Sequence, residues 1–154
     1  MNWKPLMSKA EAEEYTRDSY YRGQDFYHGT STENADGIVT EGAKWPLDSE
    51  NSYGDGFYMT QKRNRAADYA RVNKNPSIVT ARILCKNPKI FQNGTDFYEF
   101  LGGYEMPAGD SEAGFASRLL ISQGYDSVEI RGTQTLVIIL NPQQVAAFKN
   151  DSGT

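Results

Sequence analysis

One imidazole and one thiol, His28 and Cys85, are all that 154 residues offer of either group. That count excludes a structural zinc site of Cys and His ligands, a cysteine redox pair, an intramolecular disulfide and any mechanism that needs two histidines. Cys85 closes the alternating stretch Ser77 to Cys85 and reads as a small buried hydrophobe in preference to a nucleophile. His28 lies in Phe26-Tyr27-His28-Gly29-Thr30, beside a glycine at a strand end, where a ligand can approach the backbone closely. Such a histidine on its own is usually a satisfied structural residue. A second glycine-rich stretch, Tyr53-Gly54-Asp55-Gly56-Phe57-Tyr58, runs into a strand, and Tyr69 follows on a helix 11 positions after Tyr58. Gly54-Asp55-Gly56 lacks a third glycine and precedes a strand, so neither a Rossmann fingerprint nor a P-loop is present.

Taken in order, His28-Gly29-Thr30, then Gly54-Asp55-Gly56-Phe57-Tyr58, then Ala67-Asp68-Tyr69, then a late strand opened by Gln134, the chain resembles the ADP-ribosyltransferase superfamily. The branch is the diphtheria-toxin-like, poly(ADP-ribose) polymerase-like one, of His-Tyr-Glu type with Gln in place of Glu. The resemblance runs from about Phe26 to Val145. It implies NAD as co-substrate, with no metal, and cleavage of the nicotinamide-ribose bond through an oxocarbenium-like transition state for which positioning dominates. It further implies that Gly29 offers its backbone to the nicotinamide carboxamide, that His28 bonds the adenosine ribose, that Tyr58 and Tyr69 sandwich the nicotinamide ring, and that Thr30 is a further donor. The catalytic set it implies is His28, Tyr58 and the third-position residue.

That third position is where the chain departs from the family. No carboxylate stands at the expected place, and strand alternation puts Gln134 on the face of Leu136, Ile138 and Leu140. Gln134 is the expected occupant, able to bond a ribose hydroxyl but not to supply negative charge, which favours a mono-transferase over chain elongation. Glu129, on the neighbouring strand, is the rival, with a solvated or ion-paired role as its ordinary reading. Ala66 stands where the polymerases commonly carry a serine. The basic cluster Lys62, Arg63, Arg65 and Arg71 is ordinarily a solvated helix face, while a functional role would set Arg65 or Lys62 near the NAD pyrophosphate or a nucleic-acid target.

The elements that must position these groups follow from periodicity and punctuation. A helix from Lys9 to Arg17 with Ser8 as its N-cap is expected, within an N-terminal helical region of about 8–21. Further helices are expected from Ala35 to Gly42, from Lys62 to Val72 and from Asp110 to Gln123, with a helical turn from Asp96 to Leu101. Strands are expected at Phe26 to Thr30, Gly56 to Thr60, Ile78 to Cys85, Lys89 to Phe91, Asp126 to Arg131 and Thr135 to Leu140. A loop rich in Trp45, Pro46, Asp48, Asn51 and Gly54 lies between the first two strands. The pattern is α+β with largely antiparallel sheets, and the resemblance sharpens it to an ADP-ribosyltransferase-like split antiparallel sheet, two small sheets around an NAD cleft with peripheral helices. A single domain is expected, with a core of about 24–148 and a flexible tail at 149–154.

With 16 Lys+Arg against 20 Asp+Glu the net charge is -4, which lacks the footprint of a dedicated duplex-DNA or anionic-membrane binder but leaves room for a local patch. No signal core or membrane-length apolar run is present. A cytoplasmic location is expected, and delivery into a target cell without a cleaved signal would look the same. The expected function is an NAD-dependent mono-ADP-ribosyltransferase, a bacterial or phage effector, toxin or defence enzyme. Its acceptor is expected to be a macromolecule, protein first and nucleic acid second, with a cognate antitoxin or immunity protein as a further partner and no membrane. The alternatives are a catalytically inactive NAD or ADP-ribose binding module and a small-molecule (antibiotic) transferase.

Overall fold

The computed structural model describes residues 1–47 and 53–152. Ser8 opens α1 (Lys9–Tyr15) with a capping box: its hydroxyl accepts from the Glu11 N–H at 3.1 Å, and the Glu11 carboxylate accepts from the Ser8 N–H at 2.9 Å. The helix ends earlier than the sequence suggests because Thr16 turns its hydroxyl back onto the Ala12 carbonyl at 2.7 Å and caps the last turn.

The remaining elements are β1 (Phe26–Ser31), α2 (Thr32–Glu41), β2 (Phe57–Thr60), α3 (Arg63–Ala70), β3 (Pro76–Ile83), β4 (Pro88–Phe91), α4 (Gly94–Gly102), α5 (Glu112–Ser122), β5 (Ser127–Ile130), β6 (Leu136–Ile139), a 3-10 turn at Pro142–Gln144 and β7 (Val145–Ser152). The chain is α+β. Its strands form one seven-stranded sheet in the order β4-β5-β6-β2-β1-β3-β7.

Among the described strands five of the six pairings are antiparallel, as expected, while one pairing and the continuity of the sheet depart from the two small antiparallel sheets that the resemblance implied. The β4–β5 pair is parallel, so the sheet is mixed. The strands are also hydrogen-bonded into a single sheet, but its centre is thin. β1 meets β2 through one residue pair, Tyr27↔Thr60, whereas β1 meets β3 through six. Beyond Tyr27 the two halves part, and the cleft described below opens there.

Side-chain alternation sorts the core onto the two faces. Phe57, Met59, Val137, Ile139, Val79, Ala81 and Phe26 pack on one face with Ala35 and Ile38 of α2. Tyr58, Leu136, Ile138, Val128 and Ile130 pack on the other with Phe97 and Leu101 of α4 and Ala116 and Leu120 of α5. Ala66 and Ala70 of α3 lie against Tyr27 and Ile78 on β1 and β3. These small residues allow an unusually close approach. A Cβ on Gly29 would fall 1.8 Å from the Ala66 carbonyl oxygen, so glycine is required there by the helix itself.

Several boundaries move. Asp96 to Leu101 lies within a nine-residue helix, α4, capped by Asn93, whose side chain accepts from the Asp96 N–H at 2.9 Å. Residues 149–152 are not a tail: they complete β7, an edge strand that pairs with β3 across a register shift at Thr80/Ala81. Their polar side chains find distant partners, with Asn150 bonded to Ser77 at 2.6 Å and to Asp36 at 3.1 Å. On the far side of β7, the Trp3 indole donates to the Val145 carbonyl at 3.0 Å and the Met7 N–H to the Ala147 carbonyl at 2.9 Å. Asp48 and Asn51 of the expected loop lie outside the described residues. No helix among the described residues is long and apolar enough to cross a membrane.

Candidate functional site

Between the two halves of the sheet lies a cleft of about 530 Å³. Tyr27, His28 and Gly29 of β1 and Tyr69 of α3 form one wall, while Tyr53, Tyr58, Thr60, Gln134 and Leu136 form the other. The four tyrosines make it aromatic. Among the described residues lining it, none is a carboxylate or an ammonium.

His28 is held in one tautomer. Its Nδ1 lies 2.7 Å from the Tyr58 carbonyl oxygen, an acceptor only, so Nδ1 carries the proton and Nε2 of the neutral ring is left to accept. Burial pushes the imidazole below its ordinary value, and the bond to the carbonyl opposes this only in part. The ring stacks on Phe57 with centroids 4.1 Å apart and planes inclined at 28°. His28 also borders a second cavity of about 460 Å³, walled by Ile38, Trp45, Phe57 and Thr30. The imidazole is therefore a partition between two ring-sized spaces. Thr30 belongs to this second space and accepts from the Asn34 amide at 3.3 Å.

Tyr58 gives the cleft its ring and not its hydroxyl. The hydroxyl accepts from the Tyr53 N–H at 2.8 Å and donates to the Gly54 carbonyl at 2.7 Å, closing the loop that precedes β2. Burial raises this phenol above its ordinary range, so it stays protonated at neutral pH. The loop can draw so close because Gly54 adopts φ 103° and because a Cβ on Gly56 would fall 2.4 Å from an Ile138 methyl.

Gln134 reaches the cleft from the turn before β6 and not from within the strand, which begins at Leu136. Its Nε2 donates to the Tyr69 hydroxyl at 2.8 Å. Its Oε1 is buried and has no hydrogen-bond partner, the one side-chain polar atom so placed among the described residues. A buried amide oxygen left this way costs about 1–3 kcal/mol, which a ligand hydroxyl or N–H would recover. Gln134 and Leu136 line the same cleft, but the strand alternation expected to aim Gln134 stops short of it, because residue 134 lies in a bend.

The structure does not bring Glu129 to this place. Glu129 points to the opposite face of β5, where it is 4% exposed, accepts from the Tyr21 hydroxyl at 2.7 Å and pairs with Arg131. Ala66 is buried against β1 and does not line the cleft. Cys85 is fully buried, and desolvation pushes its thiol up to about 12, as suits a core residue. In the basic cluster, Arg63 pairs with Asp151 at 3.2 Å and Arg71 with Asp68 at 3.0 Å, while the Lys62 ammonium, among the described residues, meets only the Thr133 carbonyl at 3.4 Å.

Sequence reasoning missed Tyr27, Tyr53 and Leu136 as cleft residues, and the second cavity with Trp45. Tyr27 and Leu136 were within reach of strand alternation; Tyr53 was not, because its place depends on the loop folding back onto the Tyr58 hydroxyl. No protein-family model matches this chain, and no characterised protein matches it in sequence.

Proposed function

We propose that the chain is an NAD-dependent mono-ADP-ribosyltransferase with an ADP-ribosyltransferase-like fold, and that the cleft at the sheet's thin centre receives the nicotinamide end of NAD. The observation that carries this reading is the unpartnered Oε1 of Gln134 inside a cleft lined by four tyrosines. An acceptor fixed by the Tyr69 hydroxyl suits a ribose hydroxyl, and the faces of Tyr58 and Tyr69 suit a flat, positively charged pyridinium ring. His28 borders both ring-sized spaces, as a dinucleotide with one ring system in each would require. In this reading the C1′–N bond of the nicotinamide ribose breaks, nicotinamide leaves as a neutral molecule, and an acceptor nucleophile bonds to C1′ and loses its proton. The residues of the cleft bind and orient.

A second reading, a binding module that holds NAD without cleaving it, is favoured by one fact: Glu129 faces away, and no carboxylate is among the described residues that line the cleft. One experiment separates the two. NAD should raise the melting temperature of the protein under either reading. Nicotinamide release, followed by chromatography and abolished in Gln134→Ala, supports the transferase; stabilisation without release supports the module. Absence of any NAD-induced shift would remove both.

A further inference from the structure

The sequence from Lys62 to Lys74 concentrates five of the chain's basic residues, Lys62, Arg63, Arg65, Arg71 and Lys74, against one acid, Asp68, in a chain whose net charge is -4. Two of the five are neutralised by carboxylates, Arg63 by Asp151 and Arg71 by Asp68. Arg65 and Lys74 are exposed and have no acceptor within bonding distance among the described residues. Lys62 has only a carbonyl. Arg65 and Tyr69 lie four residues apart on α3 and so share a face, one turn of about 5.4 Å apart. Lys62, the extended residue before the helix, reaches the Thr133 carbonyl next to Gln134, and the three make a stripe that leads to the cleft. The stripe ends in Tyr69, whose side chain is a wall of the cleft although the residue is 49% exposed.

We infer that this stripe seats single-stranded nucleic acid, with phosphates on Lys62 and Arg65 and a base stacked on the outer part of Tyr69, at the mouth of the cleft. Guanidinium groups pair with phosphate oxygens, and an exposed aromatic ring beside them accepts any base by its face. A net acidic chain can bind a strand this way because the interaction depends on local charge over a Debye length of about 8–10 Å. As an acceptor assignment the inference rests on the transferase reading; as a binding surface it stands alone. It reverses the order expected from net charge, which averages the stripe with the acidic remainder of the chain.

The test is a fluorescence-anisotropy titration of a labelled mixed-sequence oligodeoxynucleotide of about twelve nucleotides, at salt between about 50 and 200 mM. Wild type should bind, with affinity falling as salt rises. Arg65→Glu should weaken binding about tenfold or more and flatten the salt dependence by about 0.7 in log–log slope for each phosphate that the protein no longer neutralises. Lys62→Glu should weaken it in the same direction. Arg17→Glu makes the same change in net charge at an exposed residue paired only with Glu14 and should leave binding within about twofold. No binding by wild type, or equal losses in Arg65→Glu and Arg17→Glu, overturns the inference. So does an acidic peptide of matched charge that competes as well as the oligonucleotide. NAD stabilisation without oligonucleotide binding would leave the cleft reading intact, and oligonucleotide binding without NAD stabilisation would leave the stripe intact.

Discussion

The side-chain amide of Gln134 donates to the hydroxyl of Tyr69 across 65 residues of sequence and 2.8 Å of space. The bond joins the turn before β6 to α3, and so spans the mouth of the cleft from one half of the sheet to the other. Nearby, Lys62 reaches the carbonyl of Thr133 on the same turn. The bond leaves the Gln134 Oε1 buried and oriented beside the cleft.

Gln134→Ala should lower nicotinamide release at least tenfold, whereas Glu129→Ala should act mainly on folding. The two are separated by measuring melting temperature and turnover on the same preparations. A larger loss of turnover in correctly folded Glu129→Ala would transfer the third catalytic role to Glu129.

Tyr58→Phe keeps the ring and removes the hydroxyl that ties Tyr53 to Gly54. It should destabilise the protein by about 1–3 kcal/mol in urea unfolding, since the Tyr53 N–H and the Gly54 carbonyl lose their partner. NAD affinity of the folded variant should change little. Tyr58→Ala, which removes the ring as well, should weaken NAD binding clearly, and unchanged affinity would misplace the pocket.

The single histidine can be followed by NMR without assignment ambiguity. Its midpoint should lie below 6.5, with the neutral ring protonated at Nδ1, because burial disfavours the charged form. A group with a depressed folded midpoint binds more protons unfolded than folded between that midpoint and 6.5. Stability should therefore decline as pH falls through this window, and level off below it. His28→Phe should remove that slope. A midpoint above 6.5 would mean that the bond to the Tyr58 carbonyl outweighs burial.

Gly29→Ala should prevent α3 from seating on β1, because its Cβ would meet backbone atoms of Ala66 and Ala70 within 3 Å. A loss of stability above about 2 kcal/mol is expected by chemical denaturation. A neutral result would show that α3 shifts freely against β1.

How legible all this was in the sequence depended on the range of the interactions. β3 and β6 were clear because Ile, Val and Leu accumulate there, α1 because Ser8 precedes it as a cap, and α5 because Phe115, Ala116, Leu119 and Leu120 fall on one face ahead of Gly124. Gln134 was aimed by extending the alternation of β6 two residues back, whereas it reaches the cleft from a bend that strand periodicity does not describe. The parallel pairing of β4 with β5 left no local trace, since Lys89 and Val128 come together only through the intervening α4 and α5. β7 was hidden for a related reason. Lys149 to Ser152 look like a polar end until Ser77, Asp36 and Arg63 are brought beside them. Gly29 carried two meanings that the sequence could not separate, access for a ligand and access for a helix.

The N-terminal segment that bonds to Val145 and Ala147 also bears on how the molecule behaves in crowded solution. β7 is the outermost strand on its side of the sheet, and an uncovered outer strand is a template for pairing with another chain. Trp3 and Met7 occupy two of the carbonyls through which such pairing would begin. Removing residues 1–8 should leave the cleft in place and the isolated fold recognisable, yet make the protein self-associate more strongly than the full chain as concentration rises. Light scattering of the shortened chain would reveal it.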